Sequence, residues 1–381
     1  MLEFVVQQAF PFSQLQDICC FKPEPTYVND YGLSDEVVMW YGVNDQLAIY
    51  GLTYNFLPSW WRQNYGLTFG ERIVFDPDYR LKSYRFMERT VHERFPVLHI
   101  GSPNPPTRGI LPDFGNTITA AAAGCEVIYP IDNYPWNHHL PAERIHSLHM
   151  PVDISQTFPY SEIKSQVEYL RSKLGLDFPV AFNSRGVLND AMLIGGVDFF
   201  TQLAEKDPHA VKLVEYSYGM LHSVIQYNYH RWQYKERTFL TNCAVMMVSP
   251  TMYQHQFLTY DQAVERLLAG YGTSFGLHHC GGFERYAPMY RQLNRLDWIE
   301  IGWGSDLRLA LELFPEATVQ LILSAVFVAN ARRGEVRTKI MEILDSSRSG
   351  WHRLCLSMPD VEYGTPDENL EEIYWCCKEA Q

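Results

Sequence analysis

The segment Leu277-His278-His279-Cys280-Gly281-Gly282 carries the densest chemistry in this chain. In extended backbone successive side chains alternate faces, so His278 and Cys280 point one way and His279 the other. An imidazole and a thiolate two residues apart can both reach one tetrahedral metal, and Zn²⁺ accepts that ligand mix. The two glycines that follow let the backbone turn away sharply. A buried structural cysteine beside a hydrogen-bonded histidine is the alternative reading. Both stand on this segment alone, because further ligands must come from distant strands.

Three other clusters could contact a substrate. Asp132-Asn133-Tyr134-Pro135-Trp136-Asn137-His138-His139 brings together a carboxylate, amides, aromatics and imidazoles. Asp132, Asn133, Trp136, His138 and His139 are its candidate contacts, against the alternative of a polar turn fixed by Pro135. In Phe182-Asn183-Ser184-Arg185-Gly186, Asn183 and Arg185 can meet a substrate carboxylate or amide, the latter through its planar fork of donors. Capping of the following helix is an equal alternative. Thr241-Asn242-Cys243 adds the amide of Asn242 and a further thiol that belongs to no motif.

These clusters share one placement: each follows a short apolar run. Such runs are Pro96–Gly101, Cys125–Pro130, Pro179–Asn183, Thr238–Ser249, Ser274–His278, Asp297–Ile301, Thr318–Ala325 and Arg353–Ser357. Between them lie helical patterns, including Ser161–Leu174, Asp207–Tyr229 and Tyr260–Tyr271, the second opened by a capping Asp-Pro pair. Eight strands with intervening helices predict an α/β fold, a single (β/α)₈ TIM barrel with its site at the strands' carboxyl ends. Residues 1–95, dense in Tyr, Trp and Phe, read as an aromatic-rich N-terminal extension packing on a barrel formed by residues 96–381.

Composition removes several classes. Of 381 residues, 31 are Lys or Arg and 44 Asp or Glu; the net charge of −13, without basic runs, argues against nucleic acid or a polybasic membrane surface. The longest apolar run, Ala317–Ala331, is too short to span a bilayer. No basic stretch or small-residue cleavage site opens the chain, and eight cysteines without a CxxC pair form no disulfide framework. A reducing cytoplasm is the expected compartment. P-loops, GxGxxG fingerprints, HExxH and Ser triads are absent, which disfavours a nucleotide-dependent enzyme.

An ordered set of weak motifs resembles the uroporphyrinogen decarboxylase superfamily, which includes zinc-dependent corrinoid methyltransferases. The set runs Gly124-Cys125-Glu126-Val127, Gly186-Val187-Leu188 to Gly195, Phe199-Phe200, Asp207-Pro208 and Ser249-Pro250-x-x-Tyr253. It continues with His278-x-Cys280-Gly281, Asp306-Leu307 and Gly364-Thr365-Pro366-x-x-Asn369. The resemblance implies a barrel and, in its methyltransferase branch, a zinc ion held by His278 and Cys280. Where that branch carries a Cys within Gly-Cys-Gly, this chain reads Ser357-Met358-Pro359-Asp360-Val361. Counting back from Gly364, Asp360 takes that position, with Glu300 as a fourth ligand. The implied reaction moves a methyl group between a corrinoid (cobalamin) cofactor and a small-molecule thiol or folate acceptor, with a corrinoid protein as partner. Two rival readings remain. One is a metal-independent decarboxylase of uroporphyrinogen or a related acid, with Arg62 in Trp61-Arg62-Gln63 on substrate carboxylates and Asp132 on pyrrole nitrogens. The other is a non-catalytic corrinoid or tetrapyrrole binder.

Overall fold

In the computed structural model, residues 40–105, 114–175, 185–232 and 238–380 are described. Among these described residues lie nine strands: β1 (Trp40–Gly42), β2 (Gly51–Phe56), β3 (Val127–Ile128), β4 (Trp136–Asn137), β5 (Thr238–Thr241), β6 (Phe275–His279), β7 (Trp298–Ile301), β8 (Thr318–Ile322) and β9 (Leu354–Val361). Seven of them form one curled sheet in the order β1-β2-β9-β8-β7-β6-β5. All neighbours are parallel except β1 and β2. From β5 onward each strand is followed by helix before the next, the repeated crossover that keeps strands parallel and covers the sheet. β6, β7 and β8 are accordingly near-continuous buried apolar runs rather than alternating ones.

The parallel pairing of β9 with β2 joins the last strand to one from the amino-terminal segment. The two share the Thr53↔Ser357 register, and Thr53 Oγ1 donates to Ser357 Oγ at 3.2 Å. β2 is therefore a member of the main sheet, although it lies within the segment read as an extension. Around it Phe56, Trp60, Trp61 and Phe95 pack with ring centroids 4.6–6.3 Å apart, all fully buried. These four aromatics of the amino-terminal segment are core.

A closed (β/α)₈ ring is not present among the described residues. Two expected strands take other forms, and each has a local reason. Residues 96–99 form a turn: Leu98 N–H donates to the Phe95 carbonyl, and His99 and Gly101 sit at φ 51° and 66°, outside the strand region. A Cβ at residue 101 would lie 2.3 Å from the Glu88 carbonyl oxygen, so only glycine fits there. The run Cys125–Pro130 contributes only β3, which pairs antiparallel with β4 in a separate hairpin. The expected strand Pro179–Asn183 lies outside the described residues. The helices match their patterns more closely, at Tyr160–Leu174, Pro208–Trp232 and Leu258–Tyr271. Asp207 Oδ1 accepts the His209 N–H at 2.7 Å, as a cap should. No helix among the described residues is long and apolar enough to cross a membrane.

Candidate metal centre

β6 ends in His278 and His279, and their side chains take opposite faces as the alternation requires. His279 is fully buried, its Nδ1 2.8 Å from the Tyr290 hydroxyl, and burial lowers its pKa to about 4. His278 faces the other way. Its Nε2 lies 2.7 Å from Cys280 Sγ, one step beyond the strand, and 3.1 Å from Cys243 Sγ. The three ligand atoms of Cys243, His278 and Cys280 all fall within 4.8 Å of one another. Among the described residues this is the one such group of potential metal ligands.

Cys243 arrives from the neighbouring strand. β5 pairs Thr241 with His278, and beyond the strand Asn242 N–H still donates to the His278 carbonyl at 2.9 Å. The chain then enters a 3₁₀ turn, Cys243–Met247, that keeps the thiol against β6. Buried polar groups fix this turn. Asn189 Oδ1 accepts from Ala244 N–H at 2.8 Å, and Asn242 Nδ2 donates to Asp261 Oδ2 at 2.8 Å, which also accepts from the Tyr253 hydroxyl at 2.6 Å. Arg185 donates from Nη1 to Thr241 Oγ1 at 3.1 Å and from Nη2 to the Gly115 carbonyl at 3.0 Å. Arg185 and Asn242, expected to touch substrate, thus buttress the end of β5.

Cys280 is held from the other side. Gly302, directly after β7, approaches so closely that a Cβ there would lie 1.9 Å from the Cys280 carbonyl oxygen. Gly302 N–H and Ser305 Oγ both donate to the Gly281 carbonyl, at 3.3 and 3.2 Å. Glu300 of β7 stands opposite His278 in register and hydrogen-bonds its Nδ1. Its other oxygen accepts from Gln320 Nε2 at 2.5 Å. Glu300 therefore serves the imidazole, in the arrangement that orients metal-binding histidines.

The charges in the cluster are mutually dependent. A hydrogen bond from Cys280, together with His278, outweighs burial and brings the Cys243 thiol down to about 4. The same contact, burial, and the negative charges of Cys243, Glu300 and Asp360 push Cys280 upward. The two shifts run in opposite directions, favouring a thiolate on Cys243 and a thiol on Cys280. Burial opposes a charge on His278, but Glu300 and Cys243 override it and raise its pKa to about 10.

The remaining candidates are distributed as follows. Asp360 is exposed near the end of β9; its charge reaches Cys280 and Glu300, but it is not one of the three clustered ligands. Asp132, Asn133, Trp136, His138 and His139 are exposed on and beside the β3–β4 hairpin. That hairpin is tied to β2 by Asn55 Nδ2 donating to the Tyr134 hydroxyl at 3.0 Å. Asn133 borders a cavity of about 30 Å³ with Tyr134 and Arg80, room for a water rather than a substrate. Trp136 stacks edge-on against His138, and His139 Nδ1 lies 3.1 Å from the Leu193 carbonyl. Arg62 Nη1 donates to the Gly66 carbonyl at 3.1 Å, at the end of its own helix Pro58–Tyr65. Asn183 lies outside the described residues. The group that sequence reasoning did not place in the site is Cys243. Its one signal was a thiol directly beyond a strand.

No family model matches the chain, and no curated protein matches it. Solved structures do. One is a methyltransferase from Methanosarcina mazei, with a TM-score of 0.60 over 88% of this chain and 93% of that one, at 13% sequence identity. At that identity the likeness establishes a shared fold.

Proposed function

We propose that this chain is a metal-dependent methyltransferase of the uroporphyrinogen decarboxylase-like kind, moving a methyl group between a corrinoid cofactor and a thiol or folate acceptor. The observation that carries the reading is the convergence of Cys243, His278 and Cys280 at the carboxyl ends of two adjacent parallel strands, where sites of such folds are built. The donor set fits a borderline-soft divalent ion. Two thiols and an imidazole suit Zn²⁺, and three protein ligands leave one position open, the mark of a catalytic rather than structural centre. A metal there would supply Lewis acidity that lowers the pKa of an acceptor thiol. The chain's own residues hold the ligands in place: Glu300 accepts from Nδ1 of His278, and the 3₁₀ turn presents Cys243. The exposed side chains of Met246, Met247, Val326 and Tyr363, on segments just beyond β5, β8 and β9, give this end of the sheet an apolar rim on which a corrinoid-bearing partner could rest. The shared fold of the Methanosarcina mazei methyltransferase supports the same reading.

Elemental analysis of protein purified without chelator or affinity metal tests the proposal. Wild-type protein is expected to hold about one zinc per chain, as one three-ligand site requires, and His278→Ala none. Equal metal in both variants, or none in the wild type after added zinc, overturns it.

A further inference from the structure

The carboxylate beside the candidate ligands is itself held. β6, β7 and β8 run in register with His278 opposite Glu300 and Glu300 opposite Gln320, so the three side chains form one row across three strands. Gln320 is 4% exposed, and its amide Nε2 donates to Glu300 Oε1 at 2.5 Å while Oε2 meets His278 Nδ1. With one oxygen engaged, a carboxylate is free to rotate about its terminal torsion and to tilt the imidazole it serves. With both oxygens engaged, its plane is set, and so is the direction in which Nε2 of His278 faces the two sulfurs. Among the described residues Glu300 makes its ion pair only with His278, so no Lys or Arg shares this task.

We propose that Gln320 is a positioning residue for the metal centre, acting through Glu300 on the orientation of His278. This rests on the metal reading above. The test is zinc affinity, measured by competition with a chromogenic chelator, for wild type, Gln320→Met, Glu300→Ala and the double variant. Melting temperatures of the metal-free proteins monitor folding separately. Gln320→Met is expected to weaken zinc binding about 10- to 100-fold, the usual effect of losing an outer-shell partner. Added to Glu300→Ala, it should cost less than about twofold more, because its effect passes through the missing carboxylate. A side chain that merely fills space would add its full loss in both backgrounds. Should Gln320→Met fail to fold, the isosteric Gln320→Glu, which sets an acceptor against an acceptor, must show the same loss. Wild-type affinity in the Gln320 variants, or additive losses, overturns the inference and leaves the metal reading standing. A wild-type protein that takes up no zinc overturns both.

Discussion

Cys243→Ser and Asp360→Asn separate the ligand set seen in the structure from the one expected by counting along the chain. Cys243 Sγ sits 3.1 Å from His278 Nε2 and within 4.8 Å of the Cys280 sulfur, whereas Asp360 reaches the cluster only through its charge. Four-ligand zinc sites bind with about 10–16 kcal/mol at neutral pH, so each ligand carries roughly 2.5–4 kcal/mol. A serine hydroxyl replaces little of that, and Cys243→Ser should weaken zinc binding about 100- to 1,000-fold. Asp360 is exposed, and an exposed charge near the site is worth less than about 1 kcal/mol, so Asp360→Asn should change affinity less than about fivefold. Chelator competition at neutral pH reads both, with the melting temperature of each metal-free variant as control for folding. A large loss in Asp360→Asn with Cys243→Ser unchanged would refute the assignment of the third ligand.

Two further outcomes follow from the scaffold. Burial raises the carboxyl of Asp190, 1% exposed, to about 7, against hydrogen bonding from Thr119 and the charge of Arg185. The folded chain thus keeps a proton that the unfolded chain releases near pH 4, so this group makes stability fall as pH rises from about 4 to 7. Asp190→Asn should flatten urea-unfolding stability across that window, and an unchanged slope would count against the burial argument. Gly302→Ala should move the Cys280 carbonyl, since the new Cβ would lie 1.9 Å from its oxygen, and weaken zinc binding. Gly304→Ala, at φ 84° with open space around it, should cost only about 1–2 kcal/mol of stability and leave the metal site intact. Equal zinc affinity in these two variants would show that the close approach at Gly302 does not position Cys280.

The parallel strands β6 to β9 were legible because each is a short, largely buried run rich in apolar residues and bounded by turn residues, a pattern contained within a few positions. β2 was not. Gly51–Phe56 is rich in β-favouring residues, yet its partner Ser357 is 304 positions from Thr53, and no local periodicity reports a pairing that distant. The opposite error occurred at Pro96–Gly101. An apolar run suggested a strand, but left-handed backbone at His99 and Gly101 and the close carbonyl of Glu88 bend it into a turn.

The site shows the same division between local and distant information. His278 and Cys280 could be paired from alternation alone, since two residues of one strand carry their relation with them. Cys243 could not, because its place depends on the register of β5 against β6 and on Asn189, Asn242 and Arg185 holding the turn beyond. Asp360, reached by counting back from Gly364, lies outside the three clustered groups, at an irregular stretch of its strand. β9 advances three residues, Met358 to Val361, while β2 advances two, Tyr54 to Phe56, so a bulge lies at the point where the count was applied. Glu300 is the subtler case. Its neighbourhood to His278 follows from adjacent strands, but whether a carboxylate there binds the metal or the imidazole is decided by what occupies its second oxygen. Here that is the Gln320 amide, so both oxygens of Glu300 are engaged within the row that runs from His278 to Gln320.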